Sequence, residues 1–128
     1  MKNEMIETRT QKIWLGEDDI LYTGVLPGPE LTLVEAQQIT EAEFKLAGGQ
    51  KRPIFVDIRQ VKSTIRETKE HFAGESVQRF VLAVALCIRL PLSRVIGNFF
   101  MGYNRPLFPT RLFTSEDEAI DWLRGFVE

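Results

Sequence analysis

PIFVDIRQVKSTIR, Pro53 to Arg66, is the stretch whose reading decides the fold. Ile54-Phe55-Val56 is an apolar run of strand length that ends on Asp57. A short polar connection follows, and Ser63 or Thr64 then opens a helix, with Glu67 placed for a capping box. Strand and helix patterns alternate on both sides of it, which makes this the central strand of an open α/β sheet. In such sheets the loops at the carboxyl ends of the strands carry the recognition sites.

Immediately upstream, Gly48-Gly49 stops a helix, because glycine adopts the left-handed conformation at a helix C-terminus without steric cost. That helix begins at Thr32, whose spacing to Glu35 is a capping-box signature. Its apolar positions are Val34, Ala36, Ile39, Ala42 or Glu43, Leu46 and Ala47. Before it, Pro27-Gly28-Pro29 breaks the chain. Ile20 to Leu26 and Lys12 to Leu15 read as the two strands of a hairpin, turned at Gly16 to Asp19. Residues Met1 to Gln11 are polar and unpatterned, as expected of a frayed or short edge segment.

Downstream, the helix opened near Thr64 turns Ile65, Phe72 and Val77 inward, is interrupted or kinked at Gly74, and extends to about Phe80. Leu82 to Ile88 is apolar at every position, which for so short a run indicates a strand covered on both faces. Its Ala and Leu content makes helix the competing assignment. Pro91 sits in the first turn of a third helix reaching about Tyr103, with Leu92, Val95, Ile96, Phe99, Phe100 and Tyr103 on one stripe. Asn104 to Pro109 is a stiff loop, Arg111 to Phe113 a short last strand. Ser115 and Glu118 cap a final helix whose Ala119, Trp122, Leu123 and Phe126 face the core. The expectation is one α/β domain over residues 1–128, an open mixed sheet of about five strands in the order β-β-α-β-α-β-α-β-α.

A chain of 128 residues forms one core. Sixteen basic and eighteen acidic residues give a net charge of −2, which speaks against a nucleic-acid partner. The single cysteine, Cys87, permits no intrachain disulfide, and no export leader is visible, so a cytoplasmic location is expected. No apolar run approaches the ~20 residues of a membrane span. From Ser76 to Ser115 there is no acid but there are five arginines, Arg79, Arg89, Arg94, Arg105 and Arg111. Such a stretch is either an anion-binding patch or, as favoured, a set of arginines paired with acids elsewhere, such as Glu35, Glu41 or Glu118.

The residue types do not assemble a catalytic centre. His71 is the only histidine, on a helix where a solvated or half-buried ring is the ordinary outcome, and Cys87 lies within a strand. Asp57, Glu67 and Glu70 could act as acid and base, yet caps and surface pairs account for them more simply. No spacing suits zinc and there is no glycine-rich phosphate loop, so neither a metal nor a cofactor is expected. Asp57, at the end of a buried strand, needs hydrogen-bond donors and finds them in the local backbone of the following turn.

The element order, the strand IFVDI running into a polar turn and helix, and the ending RLFTSEDEAIDWL together resemble the STAS superfamily of anti-sigma-factor antagonists, closest to an uncharacterised bacterial branch. The CRAL-TRIO fold is a more distant likeness. The resemblance implies a regulatory, noncatalytic, protein-binding domain. In the phosphorylated antagonists the turn after the central strand carries an Asp-Ser-Ser-Gly type motif. The corresponding stretch here is Ile65-Arg66-Glu67-Thr68, which has no serine. Asp57, Ser63 and Thr64 are then the residues of a possible switch turn, with Ser63 and Thr64 first of all helix caps.

The expected contact surface is the loop Asn104 to Arg111. Pro106 and Pro109 stiffen it, Leu107 and Phe108 offer apolar anchors, and Arg105 and Arg111 offer charge-assisted donors. Against this stands the folding of Leu107 and Phe108 back over the core. The partner would be another protein or a second copy of this chain. The alternative function is a carrier of a small apolar or anionic ligand, which would require a cavity between the third helix and the sheet.

Overall fold

A computed structural model describes residues 5–7, 11–25, 32–59, 70–72, 74–89 and 107–127. Within these, six strands form one mixed sheet in sequence order: β1 (Met5–Glu7), β2 (Gln11–Leu15), β3 (Leu21–Val25), β4 (Arg52–Asp57), β5 (Val81–Cys87) and β6 (Thr110–Phe113). β1–β2 and β2–β3 pair antiparallel, whereas β3 to β6 pair parallel. The helices are α1 (Leu33–Ala47), α2 (Glu75–Gln78) and α3 (Glu116–Arg124). The sheet has one strand more than expected, because the segment before the hairpin pairs as an edge strand, Met5 opposite Trp14 and Glu7 opposite Lys12.

The central strand is where the sequence puts it, and both β4 and β5 are covered on two faces, the burial expected of parallel strands flanked by helices. Alternation sorts their side chains. Ile54, Val56, Val84 and Leu86 join Ile13, Leu21 and Ile39 of α1 in one core cluster, while Phe55, Ala83, Ala85 and Cys87 join Ala119 and Leu123 of α3 in the other. The alanines that made Leu82 to Ile88 look helical are therefore the small residues that let α3 approach the sheet.

Pro53 has no N–H to give to a ladder, and the register with β5 shifts at that point: Arg52 faces Val81 but Pro53 faces Ala83. Leu82 is the residue left over, a bulge at the start of the parallel pair.

The caps form as the sequence indicates. Thr32 and Glu35 make a reciprocal capping box, and Gly48, with φ of 66°, closes α1 in the left-handed conformation. Ser115 accepts from the backbone N–H of Glu118 at 3.4 Å. The hairpin turns through Asp19 at φ 66°, held by Asp18, which accepts from Ile20 N at 3.2 Å and from Tyr22 Oη at 2.6 Å. Gly74 separates the helical residues Glu70 to Phe72 from α2, which ends at Gln78, so Phe80 lies beyond the helix as a buried link to β5.

Two details of α1 depart from its apolar reading. Val34 is 62% exposed because it lies on the outer side of the first turn, and of the pair Ala42 and Glu43 it is the glutamate that is fully buried. The third helix, Pro91 to Tyr103, falls outside the described residues.

Candidate functional site at the carboxyl ends of the strands

Asp57 is the last residue of β4 and Cys87 the last of β5. Past them the ladder continues for one step, Ile58 N donating to Cys87 O at 3.0 Å and Ile88 N to Phe113 O at 2.9 Å. This brings the end of β4, the end of β5 and the start of α3 to one place. Arg59, two residues beyond Asp57, folds back on it. Its backbone N–H and Nε donate to Oδ1 at 3.0 and 2.9 Å, and its Nη2 to Oδ2 at 2.7 Å. The same Nη2 reaches Glu116 Oε1 at 3.2 Å, and Arg89 Nη2 donates to the Arg59 carbonyl at 2.8 Å. Two carboxylates and two guanidiniums therefore meet around the turn after the central strand.

The electrostatics follow. Burial alone would raise the Asp57 carboxyl, but the Arg59 side-chain and backbone hydrogen bonds and its positive charge outweigh it and hold Asp57 below the usual carboxylate range. Bonding to Asp57 in turn keeps Arg59 charged beyond its already high ordinary value. Burial pushes the Cys87 thiol up, which makes it a poor nucleophile, and it is fully enclosed. The expected local role of Asp57 thus stands, with a donor, Arg59, that backbone reasoning overlooked. Its signal was an Asp-x-Arg spacing within VDIRQ, short enough for the side chain to return on its neighbour.

The other candidate residues are not brought here. Ser63, Thr64 and the stretch Ile65 to Thr68 lie outside the described residues, as does Arg105. Leu107 and Phe108 precede β6, which runs parallel to β5, so they sit at the opposite, amino-terminal end of the sheet. The two readings of that loop divide between its residues. Phe108 is 8% exposed and belongs to the α1-side core, so it is no surface anchor, whereas Leu107 is 51% exposed. The chain there is fixed by Val84 N donating to Pro109 O at 2.8 Å, and by Thr110 Oγ1 donating to Phe108 O at 3.1 Å. Arg111 is exposed on β6 with its guanidinium 5.2 Å from the Phe113 ring centre.

The pairing proposed for the arginine-rich stretch holds for Arg79, bonded to Glu41 at 2.8 Å and lying over the Phe44 ring at 4.0 Å. Arg89 and Arg111 are engaged instead by a carbonyl and a ring.

His71 is half-buried against α1, its Nε2 2.7 Å from Thr40 Oγ1. Burial lowers its pKa, against the opposing effect of the Ala36 carbonyl. A second buried ionisable group was visible only as one member of an ambiguous pair: Glu43 accepts from Thr23 Oγ1 at 2.6 Å, and burial pushes its carboxyl up to about 7. No cluster of three metal-ligating side chains exists among the described residues, and no described helix is long and apolar enough to cross a membrane.

A family model described as a domain of unknown function, DUF7793, matches residues 13–127, so the chain belongs to that family. The solved structure of an uncharacterised protein of the DUF3478 family with a SpoIIAA-like fold, from Shewanella loihica PV-4, superposes with a TM-score of 0.61 at 20% identity, covering 94% of this chain and 99% of its own. The fold is therefore SpoIIAA-like, that is, STAS-like. A protein of unknown function from Arthrobacter sp. FB24 is 30% identical over 92% of this chain and 95% of its own, with a TM-score of 0.32. Among curated proteins none matches.

Proposed function

We propose that this DUF7793 chain is a noncatalytic module that works by binding a protein partner through the loop before β6, a second copy of the chain being one such partner. The observation that carries the reading is the division of labour within Leu107-Phe108-Pro109. Phe108 is locked in the core and the Pro109 carbonyl is tied to β5, so Leu107 is presented to solvent on backbone that is already ordered. An exposed leucine on a fixed loop loses little entropy on association, and Arg111 on the adjacent strand adds a charged rim. The carboxyl-end cluster supports the noncatalytic part. Its ionisable side chains bond one another instead of leaving a nucleophile beside a free base.

The test compares Leu107→Asp with Phe108→Ser by sedimentation, partner pull-down and thermal unfolding. Leu107→Asp should leave stability within about 0.5 kcal/mol, as exposed substitutions do, and abolish association. Phe108→Ser should unfold the chain at lower temperature whatever it binds. Association that survives Leu107→Asp would place the contact elsewhere.

A further inference from the structure

Proline at the second position of β4 has an effect beyond the register. The bulge it imposes leaves Leu82 out of step with its neighbours, and beside that residue lies a groove of about 320 Å³ at the amino-terminal end of the parallel strands. Its walls come from four parts of the chain: Asp19 in the β2–β3 turn, Gln50 and Lys51 before β4, Arg52 and Pro53 within it, and Phe126 and Val127 after α3. That volume lies at the small end of those that hold organic ligands.

Arg52 gives the groove its chemistry. Its side chain is only 13% exposed, and its guanidinium is anchored from behind by Nε donating to Ala47 O, the last residue of α1, at 2.8 Å. Nη1 makes one long contact, 3.5 Å, to Asp19 Oδ1. A guanidinium carries five N–H donors. Nη2 thus has no acceptor among the described residues, and Nη1 has one weak one. Lys51, exposed on the same rim, has no ion pair among the described residues.

Among the described residues, two cations and one carboxylate thus share the groove with the apolar side chains of Leu82, Phe126, Val127 and Pro53. The guanidinium edge opens to solvent in the groove, and an anion accepts from such donors more strongly than water does. Arg59 at the other end of the sheet is the contrast, with each carboxylate it needs already in place.

We propose that this groove is a binding site for a small carboxylate with an apolar body. The carboxylate lies on the Nη1 and Nη2 edge of Arg52 with Lys51 beside it, and the apolar part packs on Leu82, Phe126 and Val127. A planar two-oxygen head matches the fork of a guanidinium better than a point anion does, and the apolar wall excludes ligands that are head alone. The site is independent of the Leu107 surface.

The experiment is a titration of the full chain with sodium octanoate, and in parallel with 1-octanol, followed by amide chemical shifts. Octanoate should move the amides of Lys51, Arg52, Leu82, Phe126 and Val127 in a saturable way, and 1-octanol should bind at least tenfold more weakly. Lys51→Glu changes an exposed side chain and leaves the anchor on Ala47 intact, so it should fold normally and lose about tenfold in octanoate affinity, the effect of reversing a charge near the head. Arg52→Lys, which keeps the charge but not the fork, should weaken binding further. Equal binding of octanol and octanoate, an unchanged affinity in Lys51→Glu, or shifts confined to other parts of the chain would each overturn the assignment.

Discussion

The two faces of the sheet are closed by helices in different ways. Beneath α3, Ala83, Ala85 and Cys87 meet Ala119 and Leu123, and every buried side chain in that cluster is apolar. Beneath α1 the apolar set of Ile13, Leu21, Ile39 and Ile54 is interrupted by Thr23, Thr40 and Glu43, with Gln11 buried as well. The buried centre of the α3 face depends on close approach, so its stability is set by shape. The α1 face carries polar groups that are tolerated only while hydrogen-bonded, so its stability is set by chemistry, including the protonation state of one carboxyl.

The largest effect should come from breaking the apolar face. Leu123 is fully enclosed between α3 and the sheet. Leu123→Ala removes its contacts and leaves a cavity, which should cost about 2–5 kcal/mol. Urea unfolding at a single pH measures it, and the loss should be the same at pH 5 and pH 8, because nothing in that cluster titrates in the interval. A pH-dependent loss would mean that the two faces are coupled.

The α1 face should show the opposite behaviour. Glu43 has a folded-state pKa raised to about 7, so the folded chain holds a proton that the unfolded chain has released anywhere between the ordinary glutamate value and 7. The stability this contributes is fully present below the ordinary value and is lost as pH rises through 7, to the extent of roughly 3 kcal/mol. His71 titrates within the same span in the opposite sense, but equally in parent and variant, and Asp57 acts below it. The buried ring favours neutrality, so its contribution is lost only as pH falls through the ordinary histidine value, and the depressed Asp57 titrates lower still. Glu43→Gln keeps an acceptor for Thr23 and removes the charge. It should therefore match the parent near pH 5 and exceed it near pH 8 in urea midpoint. Equal pH profiles for parent and variant would show that Glu43 is ionised in the folded state without penalty.

That contrast also marks how far the sequence could be read. The central strand, the hairpin, both helix caps and the strand over Leu82 to Ile88 follow from local signals: apolar run length, Thr-x-x-Glu, Gly-Gly. β1 was legible only as one of two outcomes, a frayed or a short edge segment, because three residues with alternating exposure carry no pattern of their own and are defined by pairing with β2. Arg59 and Arg52 were missed for a related reason. A guanidinium at the end of a flexible stem declares no partner in the sequence, and what distinguishes the two is whether the fold delivers carboxylates to it. Leu107 and Phe108 look alike as neighbours in a proline-bounded loop, and only the path into β6 decides which one turns inward.

The smallest expected difference separates the two helices themselves. α1 is entered through a reciprocal box, Thr32 Oγ1 accepting from Glu35 N at 3.2 Å while Glu35 Oε1 accepts from Thr32 N at 3.2 Å. α3 is entered through a single bond of 3.4 Å from Glu118 N to Ser115 Oγ, but its first turn carries Glu116, Asp117 and Glu118, which favour the positive end of the helix without any cap. Replacing Thr32 by Ala removes one bond of the box and unseats the other, so it should cost about 1 kcal/mol. Ser115→Ala should cost about half that, since three acids remain to satisfy the terminus. The comparison is sharpened by salt. Screening weakens the exposed acid–dipole attraction at α3, so the Ser115→Ala penalty should grow in 1 M sodium chloride as the remaining acids lose their hold, while the Thr32→Ala penalty stays nearly constant. Urea midpoints for both variants at low and high salt read this directly, and equal salt responses would show that α3 depends on its cap no less than α1 does.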